Sequence, residues 1–188
     1  DRFMGALPEQ QLLAFIQGIL PTELDLMVDQ ARTAYVEGDT EGAEHILRQV
    51  IEQKPDHQDA GTSLAALLID DGAVEEALIV LGRLVPDAEV ERLQAAARLR
   101  ESSTDDIAGV EAAANADGAD DDAQLALARA LASHSEFEPA LDRLLSVVKR
   151  KGVGKEDARQ AMVDIFGVLG NDHPLTATYR RQHAAAQF

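Results

Sequence analysis

The 188-residue chain contains no cysteine and no tryptophan, and only 4% of its residues are aromatic. The absence of cysteine excludes disulfides, thiolate metal sites and thiol catalysis within the chain. So few aromatic residues argue against a β-sandwich or β-barrel. Hydrophobic residues nevertheless make up 46% of the chain, chiefly alanine and leucine, which favour helices and suffice for a core. The composition therefore predicts an all-α fold.

Long apolar runs are also missing. No stretch of 18 or more apolar residues is present, and the segment Leu12–Leu20 is short and is followed by Pro21. No signal peptide is recognisable, so the sequence predicts a cytoplasmic location. The first residue is Asp1 rather than methionine, which we interpret as the start of a fragment or a processed product.

Basic residues are scarce and unevenly placed. The chain has 17 Lys and Arg against 34 Asp and Glu, a net charge of −17. Residues 143–188 carry a net charge of +4, so residues 1–142 carry −21. Phosphate binding requires clustered cations, so this balance argues against nucleic acid and anionic lipid as partners.

An internal repeat of 34 residues organises the first half of the chain. Four pairs of identical residues stand at this offset: Ala31 and Ala65, Gly38 and Gly72, Ala43 and Ala77, Leu47 and Leu81. The alanines suit closely packed helices, and each glycine falls in a turn where a positive φ is expected. Ala128, Ala140 and Leu144 mark a later copy, and Phe137 is assigned to its turn. A shorter helical pair, 88–100 and 105–116, is predicted in between, with Thr104 or Asp105 as an N-cap.

This pattern resembles the tetratricopeptide repeat, a helical hairpin that buries its apolar face by stacking on its neighbours. The resemblance implies a helical-hairpin solenoid over residues 21–188. The predicted pairs are about 22–54, 57–85, 87–116 and 121–151, followed by C-terminal helices within 155–187.

The two ends of the chain indicate a more specific family within the tetratricopeptide proteins. Residues Phe3–Pro8 and Glu9–Leu20 resemble the last strand and helix of a thioredoxin domain, so residues 1–20 are predicted to be its tail. The C-terminal pattern comprises Arg159, Met162, Phe166, Leu169, Gly170, His173, Pro174, Leu175, Tyr179, Arg180 and Arg181. The predicted order is therefore a thioredoxin-type tail, then tetratricopeptide pairs, then this C-terminal pattern. In this order of segments, the chain resembles the bacterial thioredoxin–tetratricopeptide fusion co-chaperones, or chaperedoxins. Any thiol pair would then lie upstream of Asp1.

No catalytic or cofactor site is predicted. The five histidines are widely spaced, and the acidic run 117–122 lacks the ligand spacing of a calcium loop. Residues 152–155 (GVGK) match only part of a phosphate loop, and residues 133–135 (SHS) suit a turn better than a nucleophile and base. We predict no metal, no cofactor and no enzymatic activity in this chain.

Binding surfaces are the remaining candidates. Tetratricopeptide domains present a groove lined by the first helix of each pair, which by alignment includes Asp25, Val28, Asp29, Arg32, Asp59, Thr62, Ser63, Ala66, Leu125 and Arg129. Only two of these positions are basic, so basic or apolar segments are predicted there rather than a carboxylate-terminated acidic peptide. The basic end offers a second surface with Tyr179, Arg180, Arg181 and Phe188. The alternative explanation for its cations is that positive charge near the C-terminus of a helix interacts favourably with the helix dipole.

The resemblance implies the interaction half of a co-chaperone that holds unfolded or partly folded proteins and passes them to an ATP-driven chaperone or chaperonin. Two alternatives stay open: a scaffold that binds one dedicated peptide, and an accessory domain of a thiol-disulfide oxidoreductase.

Overall fold

A computed structural model describes residues 20–101, 103, 106–116, 118–150 and 152–185, and these form ten α-helices without a strand. The helical architecture agrees with the all-α prediction. The chain divides into two compact units, Asp1–Lys54 and Pro55–Phe188. The predicted thioredoxin tail at residues 1–20 lies, except for Leu20, outside the described residues. Among the helices that the structure does describe, none has the length and apolar character needed to span a membrane.

The first unit is described as one helical hairpin, α1 (Glu23–Val36) and α2 (Thr40–Gln53). Helix α1 begins with a capping box, in which the Thr22 hydroxyl accepts from the Asp25 amide at 3.2 Å and Asp25 accepts from the Thr22 amide at 2.7 Å. The two helices pack against each other, and their buried residues are small or branched apolar ones. The turn contains Gly38 at a φ of 90°, which confirms the predicted positive φ.

The second unit is described as eight helices. They are α3 (Gln58–Asp71), α4 (Val74–Leu81), α5 (Ala88–Glu101), α6 (Ile107–Ala114), α7 (Asp121–Ser133), α8 (Phe137–Arg150), α9 (Lys155–Leu169) and α10 (Pro174–Ala185). Helix α3 lies against α4, α7 against α8, and α9 against α10. By contrast, α5 and α6, the helices of the predicted pair 87–116, do not pack against each other within the described residues. Alanines make these close approaches possible, and Ala65, Ala77, Ala128 and Ala140 are completely buried.

The turns of this unit show how local sequence sets the hairpins. Gly72 ends α3 with a φ of 85°, and Ser135 adopts a φ of 64° where the other copies have glycine. Phe137, which the repeat pattern assigned to the turn, is instead the first residue of α8. The cap of α6 is Asp106, whose Oδ1 accepts from the Gly109 amide at 2.9 Å, whereas the predicted caps Thr104 and Asp105 lie outside the described residues.

One contact departs from a regular stack. Helix α5 packs against α3, α4 and α7. It also packs extensively against α9, although three helices (α6, α7 and α8) separate α5 from α9 in the sequence. The approach is close, because a Cβ added to Gly167 of α9 would lie 3.0 Å from the Cβ of Ala95 in α5. Arg98 and Asp164 join the same two helices through a 2.8 Å hydrogen bond. Helices α5 and α9 therefore pack directly against each other although they are distant in the sequence.

Candidate functional site

The three candidates on α1 have different roles. Asp25 belongs to the capping box, so its carboxylate is engaged in starting the helix. Asp29 and Arg32 lie on an exposed side and approach each other at 3.4 Å. Such an exposed pair contributes at most about 1 kcal/mol to stability, so both side chains can rearrange toward a partner. Leu26 and Asp29 line a shallow depression on the same helix.

The candidates on α3 and α7 belong to the second unit. Asp59 is exposed in the first turn of α3. Arg129 is half-buried on α7, and it forms no hydrogen bond or ion pair with the residues that the structure describes. Arg129 is therefore a cation available for a carboxylate or a carbonyl group.

Two of the aligned groove positions do not line an accessible surface. Val28 and Leu125 are almost fully buried. Leu125 belongs to the main core of the second unit, and its Cδ1 lies next to Gly154 at the start of α9. The prediction that they face the groove was wrong, because alignment to a repeat gives a position along the helix but not how closely the neighbouring helices pack.

The basic end contains both core and surface residues. Tyr179 is buried in the main core, and its hydroxyl donates a short hydrogen bond to Asp142 of α8. Burial, together with this hydrogen bond, raises the pKa of Tyr179 far above its ordinary value. Tyr179 therefore anchors α10 to α8 and is not displayed on the surface.

The two arginines that follow are exposed. The Arg180 guanidinium lies over the Phe166 ring, 5.5 Å from its centroid, in a cation–π contact. Arg181 forms no ion pair within the described part of the chain. Phe188, the fourth candidate, lies outside the described residues.

Another basic group lies between α9 and α10. Arg159 Nε donates to His183 Nε2 at 3.2 Å, which requires an unprotonated nitrogen on the histidine. Partial burial lowers the pKa of His183, and the nearby charges of Arg159 and Lys155 lower it further. His183 is therefore neutral at pH 7, and sequence reasoning missed this pair because its members are 24 residues apart.

Two cavities open on the second unit near the start of α8. One, of about 400 Å³, is lined by residues of α3, α5 and α7, including Ile69, Leu99, Ala132, Arg92 and Arg100. The other, of about 450 Å³, is more open and lies between the start of α8, the end of α9 and the start of α10. Both include Ser135 and Phe137 in their walls, so they are neighbours.

The motifs set aside in the sequence have structural roles. Residues 133–135 span the end of α7 and its turn, and residues 152–155 lead from α8 into α9. In the acidic run, Asp120 caps α7 by accepting from the Ala123 amide at 2.9 Å, and Asp121 pairs with Arg150 at 3.3 Å. Across the described ranges, no three His, Asp or Glu side chains are arranged to hold a metal ion.

Comparison with known proteins supports the repeat. A tetratricopeptide repeat model matches residues 34–99, and a second tetratricopeptide repeat model matches residues 100–188. No curated protein matches the chain. Together with the ten described helices, the two matches show a tetratricopeptide-like helical domain.

Proposed function

We propose that this chain, which carries a tetratricopeptide-like domain, is the protein-binding part of a cytoplasmic co-chaperone. Tetratricopeptide domains bind protein partners, and stacked hairpins provide extended surfaces for them. The finer role is to hold unfolded or partly folded proteins and hand them to an ATP-driven chaperone or chaperonin. The resemblance to thioredoxin–tetratricopeptide fusions suggests this role.

The observation that carries the proposal is the set of large apolar side chains left exposed on the helices. On α1 of the first unit, Leu26, Tyr35 and Val36 are 52%, 50% and 84% exposed. In the second unit, Ile79 on α4 and Val163 on α9 are also about half exposed. A contiguous exposed apolar surface would bind the apolar segments that unfolding proteins display, and three of these side chains lie on one helix. The net charge of −17 would keep such complexes from associating further.

An aggregation assay tests the holding role. The protein should slow aggregation of a heat-denatured client without ATP. Replacing Leu26 and Val36 with glutamine should weaken this effect, because both substitutions remove exposed apolar surface from α1. A variant with Gln30→Ala and Thr33→Ala changes exposed polar residues on the same helix and should remain active. No suppression by the wild-type protein at several-fold molar excess would reject the holding role.

We place the contact with an ATP-driven chaperone on the exposed arginines of α10. Arg180 and Arg181 are exposed cations of the basic end, and an aromatic ring beneath Arg180 restrains its side chain. Replacing both with glutamate should weaken capture of the chaperone. Lys54→Glu with Arg83→Glu changes the net charge equally at two other exposed sites and serves as the control. Equal capture by all three proteins would put the contact elsewhere.

A scaffold with one dedicated peptide partner is the alternative that a specific observation favours. The two neighbouring cavities beside Phe137 are concave, unlike the exposed side chains of α1. A scaffold would bind one peptide tightly and leave client aggregation unchanged, so the same assay separates the two functions.

A further inference from the structure

We propose that the apolar cavity at the start of α8 binds a partner segment in which a large apolar side chain stands beside lysine or arginine. This inference rests on the proposed protein-binding function and gives that function a specific site and ligand chemistry.

The walls of the cavity suit an apolar side chain. Its apolar lining residues are Phe137 and Pro139 of α8, Leu169 of α9 and Leu175 of α10. Three of these side chains, Phe137, Leu169 and Leu175, are only partly buried, because they pack on the main core from one side. The volume of about 450 Å³ lies within the range of about 300–1,000 Å³ that is usual for ligand sites. An apolar side chain entering it would remove this surface from water.

The rim of the cavity suits a cation. We call two exposed lining residues, Glu136 and Glu138, the rim, and neither forms an ion pair with a described residue. A lysine or arginine beside the apolar anchor would place its positive charge near these two carboxylates. The acidic body of the chain would also favour the approach of a basic segment.

His173 also lines the cavity. Its Nδ1 accepts from the Leu175 amide at 3.3 Å, so the ring proton of the neutral form is on Nε2. The two glutamates have one competing explanation, which is that they stabilise the positive end of the α8 dipole. That role would alter thermal stability and leave peptide affinity unchanged, so the two explanations can be separated.

Fluorescence anisotropy with three labelled hexapeptides tests the proposal. Each has blocked ends and a Gly/Ser background, and the central residues are Lys-Leu-Lys, Glu-Leu-Glu or Lys-Ser-Lys. The Lys-Leu-Lys peptide should bind about tenfold more tightly than either of the others, since it alone fits both the walls and the rim. Replacing Glu136 and Glu138 with glutamine should weaken its binding about tenfold and reduce its dependence on salt.

The control variant carries Glu91→Gln and Glu111→Gln, two exposed positions of the second unit that do not line this cavity. It has the same net charge as the glutamine variant of the rim and should bind the Lys-Leu-Lys peptide as the wild type does. Circular dichroism would verify that both variants are folded. Equal binding of Lys-Leu-Lys and Lys-Ser-Lys, or equal loss in both variants, would overturn the proposal.

The aggregation assay tests the holding role, and the peptide-binding experiment tests the cavity, so the two proposals can fail independently. Suppression of aggregation without selective binding of the Lys-Leu-Lys peptide would reject the cavity and retain holding. Selective peptide binding without suppression would retain the cavity and favour the scaffold.

Discussion

Arg98 Nε lies 2.8 Å from Asp164 Oδ1, joining helices whose paired residues are 66 positions apart in the sequence. The aspartate side chain is only 8% exposed, whereas that of the arginine is 45% exposed. Gln160 Nε2 also lies 3.4 Å from Asp164 Oδ1. Because a buried carboxylate is costly without a partner, this pair favours the arrangement in which α5 lies against α9.

Replacing Arg98 with methionine should lower the free energy of unfolding by about 1–3 kcal/mol, because the buried Asp164 loses its cation. This expected loss is smaller than the loss for breaking a fully buried pair, because the arginine is half exposed. Adding Asp164→Leu should restore most of the loss, since two apolar side chains would then meet. Urea unfolding measures both variants. Arg92→Met, which breaks an exposed pair within α5, is the control, and an equal effect there would contradict the prediction.

Local features of the fold were predictable from sequence, and distant packing was not. Gly38 and Gly72 marked the hairpin turns because a positive φ favours glycine and depends on neighbouring residues only. The contact between Ala95 and Gly167 has no local signature, because small residues occur throughout this alanine-rich chain. The basic end was identified from charge, but the burial of Tyr179 depends on α8, which is distant in sequence.

Replacing Tyr179 with phenylalanine should lower the free energy of unfolding by about 1–2 kcal/mol, because the hydrogen bond to the Asp142 carboxylate is lost while the ring stays in the core. Tyr35→Phe is a matched control, since Tyr35 is half exposed and should have little effect. Thermal and urea unfolding provide the measurement. If Tyr179→Phe also abolished partner capture while the protein remained folded, Tyr179 would contact the partner directly, and its assignment to the core alone would be wrong.

Thr176 offers a substitution that should stabilise the protein. It is fully buried in α10, and its hydroxyl has no hydrogen-bond partner among the described residues. Valine has the same shape without the hydroxyl, so Thr176→Val should raise the free energy of unfolding by about 1 kcal/mol. Thr33→Val is the comparison, because the Thr33 hydroxyl donates to the Asp29 carbonyl at 2.9 Å. A loss of stability for Thr176→Val would indicate that the hydroxyl is satisfied, for instance by water.

His183 should make the attachment of α10 sensitive to mild acid. Its pKa in the folded protein lies below the ordinary value of about 6.5, so the unfolded chain binds more protons between the two values. The contribution of His183 to stability is therefore fully present above pH 6.5 and is lost as the pH drops from about 6.5 through the folded pKa. Protonation also removes the nitrogen that accepts from Arg159.

Amide hydrogen exchange in α10 and the NMR titration of the His183 ring provide the measurements. Protection of α10 should fall between pH 7.5 and pH 5.5, and His183→Gln should make this change smaller because the titrating group is gone. Arg159→Gln should move the His183 pKa back toward its ordinary value only in part, since burial is the larger cause of the shift. A His183 pKa at or above 6.5 in the wild-type protein would contradict the prediction, because folding would then favour the protonated ring.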